Sequence, residues 1–461
     1  MEPLDVAKAT GLVGYAVEGM GIGGIIKARV ADFRVEEVTK PIAMDPKGRF
    51  TVARVTLTNW ETNRFVLRIA KILGINRQRI FFAGTKDKRA VTTQTFIIDA
   101  PVKSVAAIDL DDVQIEILGR THQKLGFGNH LGNRFTIVVR GCAHSDGTPM
   151  TEADALEEVA SIKRRMDERF GAGRFPNRVG PQRFGSMRPV TATVGTHVLR
   201  GDWQTAVRTY IGLPGRDEET ATSDFRAQFL ESGVTQDLIE GIPPRLDFEA
   251  AMVRHLHTKP DDWFGAFRTL PNNLQLMMVH AVQSRVFNEV LARRLDSDLS
   301  VSEPEIGDIV AHLDDRAHVD TNSMVEVEAE TIDRIRRNCL LERLAVTGPL
   351  PGASLGLATG APGRLEQEAL DHLGLSDTTW VVERIGRLTT NGTRRGLTAR
   401  ARDITIDAVP IVESQRLDER STSRAKGVRW HPDGACVRFR FTLTSGVYAT
   451  SLLREHMRQE T

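Results

Sequence analysis

A single acid set among cations is the first chemistry this sequence offers. In residues 81–94, FFAGTKDKRAVTTQ, Asp87 is the one carboxylate, and Lys86, Lys88 and Arg89 adjoin it. Cations beside an acid favour its charged form, so Asp87 is expected as a carboxylate at neutral pH, usable as nucleophile or base. Gly, Thr, Asp and Lys are equally the residues of an ordinary solvated hairpin turn. Spacing alone does not choose between a turn and a site.

The elements that must hold this loop are legible around it. Residues 79–83 and 92–99 read as strands on either side, and a helix precedes them over Thr62–Leu73, with Phe65, Val66, Ile69, Ile72 and Leu73 on one face and Gly74 as its stop. A carboxylate on a short loop between rigid flanks is held in place by them. Residues 27–37 form a β-rich run in which Val30, Phe33 and Val35 alternate with charges, a half-exposed strand with an irregularity near Ala31 and Asp32. Residues 113–118 continue the strand signals. In residues 122–139, Gly126, Gly128 and Gly132 precede a strand expected from Arg134. The GIGG of residues 21–24 fails the dinucleotide spacing at Ile26, and the residues after it are strand-like. Residues 151–169 make an amphipathic basic helix.

From about Pro189 the texture changes to helices with acidic linkers. Residues 273–295 are apolar over most of a helical circumference and predict a buried helix organising this middle part. The glycines of residues 348–352 and 360–363 read as turns. Strand alternation returns at residues 401–409 and 436–443, where Val437, Phe439, Phe441 and Leu443 share a face, and a helix comes next over residues 448–457. A strand-rich module is therefore interrupted by a helical one.

Composition narrows the class. At 461 residues, 41% apolar and 26% charged, the chain has room for two or three globular domains. Cys142, Cys339 and Cys436 make no CxxC pair, which fits a reducing cytoplasm. No export signal or membrane span is expected. The histidines 122, 130, 144, 255 and 257 lack metal-ligand spacing. Net charge is only +1, yet residues 64–89 hold eight Lys or Arg against one Asp, residues 163–188 eight against two acids, and residues 384–402 six arginines and no acid. Three basic runs predict a phosphate-contacting surface, with the acidic residues 296–330 facing away.

Six segments carry a family resemblance. Gly84, Lys86, Asp87, Ala90, Thr92 and Gln94 resemble the GxKDxxAxTxQ signature of the TruD family of tRNA pseudouridine synthases. Residues 27–37 resemble its KxxxxDFxVxE motif, residues 124–135 its KLxxGxxxGNxF segment, and residues 446–455, GVYATSLLRE, its closing GxYATxxLRE. The QRFG of residues 182–185 matches as well, although Val179-Gly180-Pro181 before it departs from the pattern. Gln283 to Asn288, QSxxFN, resembles the family's insertion domain.

The resemblance implies that Asp87 is the nucleophile and that Lys27 pairs with it. It implies further that Phe33 helps hold the RNA, that Asn133 contacts the substrate, that Phe135 stacks on the target base and that Tyr448 touches substrate. Arg454 reads as structural or phosphate-facing. The implied fold is α+β: a pseudouridine synthase core with a mixed, mainly antiparallel sheet over residues 1–179 and 399–461, interrupted by a largely helical insertion over 180–398. The implied reaction converts uridine to pseudouridine in tRNA, usually at position thirteen, with no cofactor or metal and no obligate protein partner. Two other classes fit parts of the sequence. A non-catalytic tRNA-binding protein or RNA chaperone would need only the basic surface. A metal-dependent RNA phosphodiesterase would need clustered carboxylates, where Asp87 has Lys and Arg.

Overall fold

The computed structural model describes residues 4–185, 188–216, 218–314, 317–412 and 428–459. In its first part the β-branched and aromatic stretches form β1 (Gly23–Ile25), β2 (Phe33–Thr39), β3 (Phe50–Thr58), β4 (Ile80–Phe82), β5 (Val91–Ile98), β6 (Val113–Thr121), β7 (His130–Cys142) and β8 (Arg174–Pro176). The middle part adds β9 (Ile309–His312), β10 (Val325–Glu326), β11 (Leu344–Leu350) and β12 (Thr393–Gly396). The last part supplies β13 (Thr398–Arg400), β14 (Arg402–Val409) and β15 (Cys436–Thr444).

Nine strands make the main sheet, in the order β14-β15-β7-β2-β5-β3-β6, with β1 paired to β7 and β4 to β5. Its one parallel pair is β2 with β5, at the centre; the other pairs are antiparallel. A parallel neighbour requires a crossover, and β3, the helix Thr62–Leu73 and β4 provide it. Residues paired across strands share a face. One face therefore carries Phe33, Val35 and Glu37 of β2, Ile137, Phe135 and Asn133 of β7, and Phe439, Phe441 and Leu443 of β15. On the other side of β2 the same face continues through Thr92, Gln94 and Phe96 of β5 to Leu57, Val55 and Ala53 of β3.

Helices cover that face at both ends. Thr62–Leu73 packs Phe65 on Phe96, with ring centroids 5.3 Å apart, and ends at Gly74 with φ +63°. Its buried residues are Thr62, Phe65, Val66, Ile69 and Ala70, so Ile72 is exposed, contrary to the sequence reading. At about 100° per residue Ile72 falls at the rim of the inward stripe, about 20° beyond Phe65, in the last turn of the helix. At the other end the helices Glu152–Phe170 and Ala449–Met457 pack on β15 and β7 through Val159, Ile162, Met166, Leu452 and Leu453. Between the two covers lies the stretch that carries Glu37 and Asn133.

The chain leaves this module after β8 and returns at β13, which pairs with β8 residue for residue from Thr398↔Pro176 to Arg400↔Arg174. Between them, helices pack around Asn272–Leu295, most of whose circumference is buried. The acidic section is more ordered than its composition suggested: it contributes β9 and β10 to a four-stranded antiparallel sheet, β10-β9-β11-β12. Gly348, read as a turn, sits within β11. A Cβ there would lie 2.9 Å from Leu397 and 3.2 Å from Phe287, so the glycine is needed for close packing. Gly360 and Gly363 belong to the first turn of the helix Gly360–His372.

A buried ion pair joins the start of β2 to β7. The Arg140 guanidinium donates from Nε and Nη2 to the two Asp32 oxygens, both at 2.7 Å, with both side chains almost fully enclosed. Asp32 also accepts from the Arg29 N–H, which forms the 3₁₀ turn Val30–Asp32 expected as an irregularity. Removing one partner leaves an uncompensated buried charge. Asp32→Ala is expected to lower unfolding free energy by about 3–5 kcal/mol in urea titration. A loss below about 1 kcal/mol would mean that other contacts hold the turn.

Candidate active site

Asp87 lies on the loop between β4 and β5, and its carboxylate meets the Lys27 ammonium at 3.0 Å. Both remain open to solvent, with 46% of the Asp87 side chain and 24% of that of Lys27 exposed. Lys27 adopts φ +57°, a left-handed conformation that costs a lysine of order 1–3 kcal/mol and that its surroundings must enforce. Arg89 Nε donates to its carbonyl at 3.1 Å, and its ammonium sits 4.3 Å from the centre of the Phe33 ring. Phe33 is buried and acts on the site through Lys27.

The cations adjoining Asp87 in sequence do not gather round it as expected. Lys86 turns inward and binds Glu37 at 3.0 Å, with 7% of its side chain exposed and none of that of Glu37. Arg89 is turned to the Lys27 backbone and Lys88 points to solvent. Lys86 is locked further by its N–H to the Thr62 hydroxyl at 3.0 Å. Gln94 Nε2 holds the Gly84 carbonyl at 2.6 Å. The loop is thus tied to β2, to β5 and to the first turn of the neighbouring helix. None of Lys86, Glu37, Gln94 or Thr62 was given a role from sequence. One signal was present: alternation puts Glu37 on the same inward face as Phe33 and Val35, and a buried acid requires a cation.

Beyond Lys27 the sheet carries a row of buried aromatic rings. Phe135 is edge-on to Phe33 at 6.4 Å and stacks on Phe441 at 5.5 Å, so its ring is largely enclosed. Asn133, two residues earlier, is in the same row. β7 starts at His130, four residues before the strand expected from Arg134, so Asn133 and Gly132 lie inside it. A Cβ on Gly132 would be 2.2 Å from the Leu443 carbonyl, so this glycine admits β15 and makes no turn. Asn133 Oδ1 is buried, and no hydrogen-bond partner meets it among the described residues. It stands between Glu37 on one side and Leu443 on the other, an unsatisfied buried acceptor of the kind that calls for an explanation.

Tyr448 is half-buried at the head of the helix Ala449–Met457, with its ring against Gly180. The glycine is needed there, since a Cβ would be 2.8 Å from Tyr448 Cδ1. The departing loop is clamped by the middle part of the chain: Asn288 accepts from the Val179 N–H at 2.8 Å and donates to its carbonyl at 3.0 Å. Nearby Arg395 binds Asn177 and the Gly446 carbonyl. Burial pushes its guanidinium down to about 10, and the positive charge of Arg183 acts in the same direction against Tyr448.

The three basic runs divide. In residues 163–188, Arg165, Arg169, Arg174, Arg178 and Arg188 all donate to backbone carbonyls. In residues 384–402, Arg394 is buried against Glu366, while Arg400 and Arg402 share Glu342. These two runs are mainly internal fastenings, which five-donor guanidinium groups suit. Arg454 is likewise structural, donating to Leu12 and Gly14 carbonyls at 2.7 Å. The first run keeps a solvent-facing row, Arg64, Arg68 and Lys71, and in the third Arg384 and Arg387 are exposed as well. Among the described residues no group of three His, Cys, Asp or Glu is placed to hold a metal, and no helix is long and apolar enough to cross a membrane.

The assembled site offers a carboxylate with a cationic partner, beside buried aromatic rings and one buried, unpaired amide oxygen. Known proteins share this arrangement's whole frame. Residues 9–456 match the family model described as tRNA pseudouridine synthase D (TruD). A Methanosarcina mazei protein named "Probable tRNA pseudouridine synthase D" is 34% identical over 462 residues, covering 99% of this chain and 98% of its own. A Halobacterium salinarum protein of the same name is 34% identical over 474 residues, with the same coverage. A crystal structure of a Methanosarcina mazei protein named for TruD superposes with TM-score 0.82 at 30% identity, covering 99% of both chains.

The two lysines on either side of Asp87 should respond oppositely to neutralisation. Lys86→Met leaves Glu37 buried without its cation and is expected to cost about 3–5 kcal/mol of stability. Lys88→Met, at the surface, should stay within about 0.5 kcal/mol of the parent chain. Denaturant titration of both variants checks this, and equal effects would count against the buried pair as the loop's anchor.

Proposed function

Since this chain belongs to the TruD family of tRNA pseudouridine synthases, we propose that it isomerises uridine to pseudouridine in tRNA, at position thirteen, with Asp87 as the nucleophile. The observation that carries the reading is the Lys27–Asp87 pair, solvent-open beside a row of buried aromatic rings. The reaction breaks the N-glycosidic bond, turns the uracil over and joins C5 to C1′. The C5 proton leaves and a proton ends on the ring nitrogen, so the composition is unchanged and no oxidant or reductant is needed.

Asp87 can enter in either of two ways. Its carboxylate attacks C1′, displacing uracil, or it removes a sugar proton to leave a glycal. In both, the departing uracil carries negative charge as the bond breaks, and the Lys27 ammonium lies next to the reacting carboxylate to stabilise the charge that remains. Asn133 Oδ1 is suited to accept from the uracil N3–H, with Phe135 and Tyr448 confining the ring while it rotates and Phe33 supporting Lys27. Phe135 has no hydroxyl, so it is not the base that takes the C5 proton. We assign residues 180–398 to an insertion that closes the site from the Tyr448 side, through the Asn288 clamp and Arg395. The buried, unpaired thiols of Cys142, Cys339 and Cys436 fit a cytoplasmic enzyme.

Pseudouridine formation on an unmodified tRNA transcript tests the assignment. Asp87→Asn is expected to lower the rate by roughly 10³-fold or more while RNA binding persists. Lys27→Met should lower it by about 10²–10³-fold. Tight tRNA binding by the parent chain with no product would favour a non-catalytic RNA-binding protein instead.

A further inference from the structure

Five aromatic rings form a chain across the outer half of the active-site face, and the last one ends in solvent. Trp60 meets Phe65 at 6.3 Å, Phe65 meets Phe96 at 5.3 Å, Phe96 meets Phe82 at 5.7 Å, and Phe82 meets Phe127 at 6.2 Å. Phe65 and Phe96 are fully buried and Phe82 half-buried, whereas Phe127 is 76% exposed. Fully burying such a ring would gain about 1.5–3 kcal/mol, so packing does not account for an aromatic at this tip.

Strand alternation places Phe127 on the same side as the chemistry. Phe82 pairs across from Phe96, which lies beyond Gln94 and Thr92 along one face of β5, and Thr92 lies beside Val35 of β2. Behind the sheet, Lys124 lies over Phe50 and Phe81. The loop therefore passes round the edge of β4 between Lys124 and Phe127 and delivers the ring to the front. It is tied there by the Gly128 N–H to the Ala83 carbonyl at 2.6 Å. Ala83 is four residues from Asp87, at most about 14 Å of chain.

Cations stand at the other end of the ring chain, where the Arg64 guanidinium lies 5.8 Å from the centre of the Trp60 ring. The helix Thr62–Leu73 lies on this face through Phe65 and contains no acid; Arg64, Arg68 and Lys71 line its exposed side, and Lys88 is exposed next to Asp87. An exposed aromatic and a cationic row along one face are the means by which proteins hold unpaired nucleotides: bases stack on the one and phosphates of the same strand pair with the other.

We propose that Phe127 is a stacking platform for an unpaired base of the RNA beside the target uridine, with Arg64, Arg68 and Lys71 contacting phosphates farther along the same strand. Extruding a uridine leaves its neighbours short of a stacking partner, and Phe127 replaces it. The inference rests on the synthase reading and adds a contact outside the residues that reading uses.

Steady-state kinetics on unmodified tRNA test it, because an exposed ring can be changed without disturbing the fold. Phe127→Ala and Phe127→Leu are expected to raise KM roughly five- to hundredfold with kcat unchanged, and Phe127→Trp to keep KM near that of the parent chain. Arg68→Gln should reduce the slope of log affinity against log salt by about one. Abasic substitution of the nucleotides flanking the target, one at a time, identifies the base. At one position it should raise the parent's KM as much as Phe127→Ala does, and have no further effect in that variant. A KM within twofold of the parent for Phe127→Ala overturns the stacking alone, as does Phe127→Leu behaving like the parent. No pseudouridine from the parent chain overturns the synthase reading and the stacking with it.

Discussion

The buried pair between Lys86 and Glu37 is the constraint on which the site depends. It lies one residue before Asp87, and it fastens the loop after β4 to β2, the strand that is parallel to β5 at the centre of the sheet. An ion pair with 7% and 0% exposure tolerates little movement, because any separation leaves a charge in a medium that cannot solvate it. The next residue along the chain is therefore held at a fixed height above the sheet while its own carboxylate stays open. Thr62 and Gln94 remove the remaining freedom of the loop through its backbone. The arrangement separates two tasks that a single lysine could not perform together: Lys86 positions, and Lys27 pairs with the exposed acid.

Charge is sorted by depth throughout the molecule. Arg140, Arg294 and Arg394 are each enclosed with one acid, Asp32, Asp308 and Glu366, and most arginines of the second and third basic runs bind carbonyls where loops leave helices or strands. Arginine suits this role because several of its donors can be satisfied at once and it stays protonated when buried. Among the cations left at the surface, Arg64, Arg68 and Lys71 stand in one row on a helix that also supplies the Thr62 hydroxyl to the loop of Asp87. That helix thus carries an exposed cationic row on one side and a support for the Asp87 loop on the other.

The interruption of the catalytic module by the middle part has a mechanical consequence. β8 and β13 pair at the point of exit and return, so the two strands of connecting chain are held together. From there the buried helix Asn272–Leu295 reaches back with Asn288 to hold Val179 by both its N–H and its carbonyl. Gly180 then allows the Tyr448 ring to lie against the loop. The Tyr448 ring consequently rests on a loop held by a part of the chain remote in sequence from Asp87.

Sequence by itself determined the elements and their inward faces. The rows Phe33–Val35 and Val437–Phe439–Phe441–Leu443, the helix Thr62–Leu73 and the discontinuous module come from periodicities that span two to four residues, which backbone geometry alone sets. The loop bearing Asp87 was legible for the same reason, and resemblance supplied its candidate role. Tertiary structure decided the partners. Lys27 and Asp87 are 60 residues apart, Lys86 and Glu37 are 49 apart, and Arg140 and Asp32 are 108 apart. No local rule distinguishes a lysine that will face its neighbouring aspartate from one that will turn under it, nor an arginine bound for solvent from one bound for a carbonyl. Those choices depend on which strands the crossover brings together, and burial then makes every unpaired charge too costly to keep.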